Sequence, residues 1–280
     1  MIRRPICLVF ALALTVFASS AAFAQGSSDD GVLMPAEPDF TVIALPTSLR
    51  LPVMKSEIRI THRFVRPLSC DSCPNSLAGD AFGIDNGALI GLEYRMGVIP
   101  NGQVIVHRAR TNKTVEFLGE YSMTRQTGSM PLEIAAIGGV EGTQNFRGEY
   151  SPSVGLAITR MFKDNAAIHI DPIWVSNTHL ASTVGDDSTL MVGVGTRVRV
   201  GKTLYLTGEI TPRVSGYRPG KTNASFALEK RLGGHMFQLN FSDTDLATTM
   251  GQLAQGTTGA TSTTGKTQWF MGFNITRKFF

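Results

Sequence analysis

The chain has 280 residues, of which 42% are hydrophobic and 17% are charged. Its 26 basic and 22 acidic residues give a formal net charge of +4, which argues against a nucleic-acid-binding protein because such proteins carry a clear excess of basic residues. A mean hydropathy of +0.05 is high for a secreted soluble protein. Yet no stretch after residue 24 reads as a transmembrane helix, since even the apolar run 190–200 is interrupted by Gly, Thr and Arg.

The first 24 residues have the three parts of a cleavable export signal. Arg3 and Arg4 form a positive start, residues 6–17 form a short apolar core, and residues 22–24, Ala-Phe-Ala, form a small-x-small cleavage site. The apolar core is shorter than the about 20 residues that a helix needs to span a bilayer. We therefore expect residues 1–24 to be a signal peptide that is removed on export.

From residue 57 the sequence alternates between apolar and polar residues, with the two-residue period of half-buried strands. Apolar residues on one face of many strands would reconcile the high hydropathy with the missing helix, because that face would meet lipid. Closure is then required, since an open strand edge cannot stay unpaired in lipid. We predict an all-β, closed, antiparallel up-and-down transmembrane barrel of about 12 strands, with 10 to 14 as the range, at residues 57–64, 88–96, 103–108, 114–125, 132–138, 153–162, 167–177, 190–200, 203–213, 223–232, 234–241 and 266–280.

The connections between the predicted strands alternate between short turns and mostly longer loops, as in outer-membrane barrels. This alternation and the even strand count predict short turns and both termini in the periplasm. Residues 26–46 contain three prolines and no sustained period, so we expect a periplasmic N-terminal leader over residues 25–55 and the barrel over residues 56–280. A soluble periplasmic barrel like a lipocalin is the alternative fold, and it would require polar outer strand faces.

Several short pieces of the chain carry a resemblance to a known family: Thr61-His62-Arg63-Phe64, the run 83–87 leading into 91–94, the run 234–241 and the closing run 272–277. On these pieces, which span most of the barrel, the chain resembles a family of bacterial outer-membrane β-barrels of the domain-of-unknown-function type. The resemblance implies the fold and the outer-membrane location, and it implies no activity or ligand. The chain departs from the family pattern by carrying Cys70-Asp71-Ser72-Cys73 in its first predicted external loop.

Cys70 and Cys73 are the only cysteines after the predicted signal peptide. Their spacing fits a local disulfide, a redox pair or part of a metal site. No second cysteine pair and no histidine cluster completes four zinc ligands, and Pro74 in place of a histidine excludes a haem-attachment motif. An even pair in an oxidising compartment favours a disulfide that stiffens the loop.

Most charged residues of the predicted strands lie on the parity opposite the apolar face. We predict that they line the barrel lumen: Arg59, Arg63, Glu93, Arg95, Glu116, Glu120, His169, Asp171, Arg197, Arg199, Glu209, Glu229 and Arg231. Acids and bases nearly balance in this set. Two interpretations therefore stay open, an interior filled by salt-bridged side chains or a narrow polar conduit that selects solutes by charge. Barrels of about eight strands are filled and those of roughly 16 to 18 hold a water channel, so twelve lies between.

The sequence offers no catalytic, cofactor or metal motif. Gly193-Val194-Gly195 lies within a strand, so it is interpreted as small residues that ease barrel packing rather than as a phosphate loop. The histidines show no catalytic spacing, and they are His62, His107, His169, His179 and His235. We predict a non-enzymatic outer-membrane barrel that passes or binds small solutes, with membrane lipid and the barrel-insertion machinery as partners. The alternatives are a lipid-modifying enzyme with its nucleophile near the rim and a structural or docking barrel.

Overall fold

The computed structural model describes residues 33–70, 73–178, 188–216, 221–245, 248–256 and 267–280, so the predicted signal peptide lies outside the described residues. The strands of this part are β1 (Ser56–Pro67), β2 (Ala88–Ile99), β3 (Gly102–Ala109), β4 (Thr114–Thr124), β5 (Glu133–Gly142), β6 (Tyr150–Phe162), β7 (Ala166–Ser176), β8 (Ser188–Arg199), β9 (Leu204–Thr211), β10 (Arg213–Ser215), β11 (Asn223–Leu232), β12 (His235–Ser242) and β13 (Phe270–Phe279). The helical segments are α1 (Met250–Gln255), a helical turn at Thr143–Phe146, and 3₁₀ turns at Ala81–Asn86 and Thr111–Lys113.

The strands form one closed antiparallel barrel. β9 and β10 both pair with β8 and act as one barrel strand interrupted at Pro212, which cannot donate to the ladder. The barrel closes where β1 pairs with β13, from Ser56 opposite Phe279 to Arg63 opposite Gly272. The predicted fold class is therefore confirmed, with twelve barrel strands that overlap the twelve predicted segments.

Apolar side chains cover the outer surface of the barrel. In β7, Ile168, Ile170 and Trp174 are at least 40% exposed, whereas His169 and Asp171 between them are completely buried. The same alternation runs through the neighbouring strands, which gives the barrel an apolar outside and a polar inside. A soluble barrel of the lipocalin type would show the reverse pattern on its outer face. None of the helices in the described ranges is long and apolar enough to cross a membrane.

If this outer belt faces lipid, the cost of placing an arginine on it should depend on the depth of that position in the bilayer. We expect Ile170→Arg, in the middle of β7, to lower the free energy of unfolding by about 2–4 kcal/mol, because an arginine at the bilayer midplane is costly on the lipid face. Met123→Arg, one residue before the end of β4, should cost about 0–1 kcal/mol since it lies near the interface. Urea unfolding of the refolded barrel in phospholipid vesicles measures both, and equal costs would contradict a lipid-facing belt.

The two ends of the barrel differ in their connections. At the short-turn end the connections are residues 100–101, 125–132, 163–165, 200–203 and 233–234. At the long-loop end they are residues 68–87, 110–113, 143–149, 177–187, 216–222 and 243–269. β1 begins and β13 ends at the short-turn end, so the chain enters and leaves the barrel there.

The segment before β1 lies inside the barrel rather than outside it. Residues 33–51, which we name the plug hairpin, enter from the short-turn end, and residues 36–49 are all buried. The two arms pair where the Thr47 N–H donates to the Phe40 carbonyl at 3.0 Å, and the Val42 N–H closes the tip on the Leu45 carbonyl at 2.8 Å. The described part of the segment interpreted as a periplasmic leader therefore lies in the lumen, where the apolar residues of the hairpin are removed from water.

Candidate functional site

The lumen contains most of the residues predicted to line it. Arg199 and Arg231 are only partly buried, and Arg199 donates to the carbonyls of Gly201 and Lys202 at the short-turn rim, at 3.2 and 3.0 Å. The other eleven predicted residues are each at most 6% exposed, and they are Arg59, Arg63, Glu93, Arg95, Glu116, Glu120, His169, Asp171, Arg197, Glu209 and Glu229. Because these two arginines lie at the rim, acidic side chains outnumber arginines among the buried residues, and the near balance of charge that the sequence suggested is lost.

Further buried polar residues join this set. Glu57, Glu133, Glu141, His107 and Lys278 are also buried on the inner wall. Glu133 lies in the predicted strand 132–138, which has the weakest alternation. Glu141 is on the same face as Glu133 but lies beyond the predicted end of that strand. Among described wall residues, carboxylates therefore outnumber arginine and lysine side chains.

One side of the wall carries a chain of ion pairs. Arg59 contacts Glu93 at 3.3 Å, Arg95 contacts the same carboxylate at 3.4 Å, and Arg95 also contacts Glu120 at 3.1 Å. These side chains extend from β1 over β2 to β4 and are almost completely buried. Part of the interior is thus filled by salt-bridged side chains, as one of the two sequence interpretations expected.

The acidic residues of the plug hairpin pair with basic residues of the wall. Arg197 forms an ion pair with Glu37, while its other nitrogens hold Glu229 at 2.8 and 3.1 Å. His169 contacts Glu37 at 2.7 Å. On another strand, β13, Lys278 contacts Asp39 at 2.9 Å. The hairpin and the wall therefore share their buried charges, and neither set is neutralised alone.

The wall also binds the main chain at the tip of the hairpin. The Glu209 carboxylate accepts hydrogen bonds from the N–H groups of Ile43, Ala44 and Leu45 at 3.0 to 3.1 Å. Consecutive main-chain N–H groups turned toward one oxygen group form an anion-binding nest. The carbonyls beside the nest are also bound, because Gln238 donates to the Val42 carbonyl at 2.6 Å.

Three more wall side chains bind the carbonyls of the tip. Arg197 donates to the Thr41 carbonyl at 2.7 Å. The Ile43 carbonyl accepts from Asn274 at 3.2 Å and also from Arg59. The tip is therefore held by its main chain on several sides, and these contacts do not depend on its side-chain identities.

Two glycines of β8 make room for the apolar side chains of the tip. A Cβ atom on Gly193 would lie 2.5 Å from Leu45 Cδ2, and one on Gly195 would lie 3.1 Å from Val42 Cγ2. Both side chains belong to the buried apolar cluster that includes Ile173 and Met191 of the wall. The glycine pair, interpreted from the sequence as easing barrel packing, thus provides the space that the hairpin occupies.

Helix α1 occupies the other end of the lumen. Its Met250 and Gly251 N–H groups donate to Glu116 and Glu141, each at 2.9 Å, so the helix start is satisfied by two neighbouring carboxylates. Leu253 joins the apolar cluster of the hairpin tip. Burial also raises the pKa of Asp243, which lies just beyond β12 at the long-loop end. The lumen is thus occupied from both ends.

A cavity remains at the short-turn end, beside the hairpin arm that returns to β1. Its volume is about 640 Å³, and both the hairpin and the wall line it. Ser48 of the hairpin donates to Glu133 of the wall at 3.2 Å, and Arg50 donates to Asn101 in the β2–β3 turn. The cavity therefore lies where a molecule entering from this end would first meet the hairpin.

The described histidines and cysteines form structural contacts. His107 contacts Glu116 at 3.4 Å, and the His62 ring stacks on Phe273. His179 lies outside the described residues. Cys70 and Cys73 are joined in a disulfide in the loop between β1 and β2. Within the described ranges, no group of three or more His, Cys, Asp or Glu side chains could hold a metal ion.

Solved structures with a similar fold are porins. The KdgM porin aligns with a TM-score of 0.52 at 8% identity, and the same porin in complex with disordered oligogalacturonate aligns with a TM-score of 0.50 at 9% identity. Both alignments cover 80% of this chain and 99% of the other chain. The NanC porin aligns with a TM-score of 0.49 at 9% identity, over 80% of this chain and 99% of the other. At these identities the likeness concerns the fold alone.

No curated protein matches this chain. A family model does match it, over most of its length. The model described as "Membrane bound beta barrel domain (DUF5777)" matches residues 40–279, a range that includes the tip of the plug hairpin as well as all the barrel strands. This chain therefore belongs to that family of membrane-bound β-barrels.

Proposed function

We propose that the protein is a bacterial outer-membrane channel for small solutes, closed in this conformation by the plug hairpin and α1. One observation carries the proposal: the barrel encloses two paired arms of its own chain. Neighbouring strands lie about 4.8 Å apart, so the wall surrounds a space far wider than side chains alone would fill. A barrel with a purely structural task needs no such space, whereas a conduit does.

The contacts of the hairpin support an occupant that can leave. Its acids and main-chain groups are held by polar wall residues such as Arg197 and Glu209, and those polar groups would be hydrated once the hairpin had moved. A water-filled lumen lined by charged side chains conducts ions and polar solutes. Arg59 and Arg95 would keep their wall partners Glu93 and Glu120, so part of the lining is independent of the hairpin.

The orientation follows from the expected export route. With residues 1–24 as a signal peptide, the short-turn end and both chain termini would face the periplasm and the long loops would face outward. The hairpin would then close the channel from the periplasmic side and α1 from the outside. Outer-membrane lipid would surround the apolar belt, and the barrel-insertion machinery would assemble the strands. The proposal assigns no catalytic step, because the described histidines are engaged in structural contacts.

Planar-bilayer conductance of full-length Leu45→Asp tests the proposal. A carboxylate at this completely buried position would lie unpaired in the apolar cluster, which costs several kcal/mol and favours an expelled hairpin. Once α1 is also removed, as described below, we expect conductance to rise by at least about tenfold over the unsubstituted protein, because the lumen then fills with water along its whole length. Met54→Asp is the matched control. Met54 is 76% exposed, so this variant should have the same conductance as the unsubstituted protein.

Helix α1 needs a separate variant, because it occupies the opposite end of the lumen. Leu45→Asp is therefore combined with replacement of residues 249–256 by glycine and serine. If both variants run as folded, heat-modifiable barrels on gels and neither conducts, the proposed channel function is wrong.

A further inference from the structure

We infer that the lumen wall around Glu209 is a binding site for short peptides with apolar side chains, and that the tip of the plug hairpin occupies it in this structure. The inference deepens the proposed channel function by naming the class of solute. It rests on that function to the extent that a solute must be able to reach the lumen.

The recognition is directed at a peptide main chain. Glu209 accepts from three consecutive N–H groups, while Gln238 and Arg197 donate to the two carbonyls that precede them in the chain. A site of this kind distinguishes a peptide from a sugar or an inorganic ion by the order and spacing of its donors and acceptors. An anion would meet the negative charge of Glu209, and a lone cation would leave the neighbouring donors unused.

Glu209 is the group that most needs a ligand when the hairpin leaves. Arg197 would retain Glu229 and Gln238 would retain the same carboxylate, at 2.8 and 2.6 Å. In contrast, the hydrogen bonds of Glu209 to described residues all come from the N–H groups of the tip. Water would hydrate this carboxylate in the open lumen, and a peptide that presents consecutive N–H groups can take the place of that water.

The apolar side of the site selects for apolar side chains. Leu45 and Val42 fill the space above Gly193 and Gly195, against Ile173 and Met191 of the same cluster. Removing such side chains from water favours binding whatever their sequence. Main-chain recognition combined with an apolar hollow therefore fits a class of short apolar peptides rather than one sequence.

The affinity expected for a free peptide is low. The hairpin is tethered next to the site, and a short flexible tether gives an effective concentration of about millimolar. A free peptide must reach a comparable concentration to occupy the site equally, and weak binding is what passage through a conduit requires. Occupation by the hairpin and passage of peptides are then alternative states of one site.

The test uses the full-length Leu45→Asp variant in which residues 249–256 are also replaced by glycine and serine, so that the hairpin is expelled, the site is vacant and both ends of the lumen are open. The probe is the acetylated and amidated peptide Thr-Val-Ile-Ala-Leu-Pro, the sequence of residues 41–46. We expect it to halve the current at or below about millimolar concentration, because the expelled hairpin no longer competes for the site. The control peptide carries N-methyl groups at the residues that correspond to Ile43, Ala44 and Leu45, and we expect it to block at least about tenfold more weakly because the N–H donors are gone.

Binding is also measured without current, by fluorescence anisotropy of the labelled peptides on the same variant in detergent. Preference for the unmethylated peptide that weakens on adding Glu209→Gln supports the site. If Glu209→Gln prevents folding, the comparison of the methylated and unmethylated peptides on the variant that keeps Glu209 still tests the site. Equal binding of both peptides, or binding of neither, overturns the inference. A variant that conducts but ignores both peptides leaves the channel standing without the site, whereas one that binds selectively and never conducts leaves the site without the channel.

Discussion

Replacing Arg197 with methionine should lower the free energy of unfolding by about 3–5 kcal/mol, because it removes one partner of buried ion pairs. Arg197 holds Glu37 of the hairpin and Glu229 of the wall, and it donates to the Thr41 carbonyl at 2.7 Å. All three charged side chains are at most 1% exposed. Methionine keeps the aliphatic part of the side chain, so most of the loss comes from the two carboxylates that lose their charged partner. Urea unfolding in phospholipid vesicles, followed by heat modifiability on gels, measures the change.

Arg199→Met is the matched control two residues along the same strand. Arg199 is partly exposed and donates to the carbonyls of Gly201 and Lys202, so its loss should change stability by only about 0.5 kcal/mol. Adding Glu37→Gln to Arg197→Met should recover part of the loss, since one uncompensated carboxylate becomes neutral. Similar costs for Arg197→Met and Arg199→Met would refute the buried ion pairs as the source of stability.

Replacing Gly193 with phenylalanine should expel the plug hairpin from a folded barrel. The new side chain would occupy the space of Leu45, which loses about 1.5–3 kcal/mol of burial, and overpacking adds about 1–3 kcal/mol. At about 1.4 kcal/mol per factor of ten, the population with the tip withdrawn should rise at least about a hundredfold. The readout is the rate of maleimide labelling of Ala44→Cys on the hairpin tip, in purified protein whose Cys70 and Cys73 are joined in a disulfide.

Val194→Phe controls for the added bulk at the neighbouring position. Val194 faces outward on the same strand and is 36% exposed, so its enlargement adds only to the apolar belt. We expect an unchanged labelling rate for this variant. A folded Gly193→Phe barrel that labels as slowly as the unsubstituted protein would show that the hairpin does not depend on the space above this glycine.

The barrel itself could be predicted because its signal is local. In 190–200, each apolar residue that faces outward is two positions from the next, so a short window contains the whole pattern. The same parity identified Arg197 as a residue of the inner wall and Val194 as one of the outer surface, without knowledge of any partner. Strand ends carry less information, which is why Glu141 was missed and Arg199 was assigned to a lumen that it only borders.

The occupants of the lumen could not be predicted in this way. The hairpin has no period, and its partner Glu209 lies more than 160 residues further along the chain. Helix α1 has only six residues and lies in a loop rich in glycine and threonine, so it is too short to show a helical repeat of apolar residues in the sequence. The sequence held two indirect signs that the lumen is occupied. Apolar residues such as Phe40 and Leu45 lie in a segment interpreted as a leader, and two glycines of β8 face inward, where they leave space that no predicted side chain fills.

The position of the hairpin relative to the closing pair of strands has a consequence for biogenesis. Residues 33–51 lie just before β1, and β1 pairs with β13, the last of the described strands. The hairpin and the closing seam are therefore neighbours in the chain. A hairpin that is in place before β1 pairs with β13 gives the interior carboxylates their donors while the barrel is still open. Such an order of assembly spares the hairpin from having to enter a barrel that has already closed.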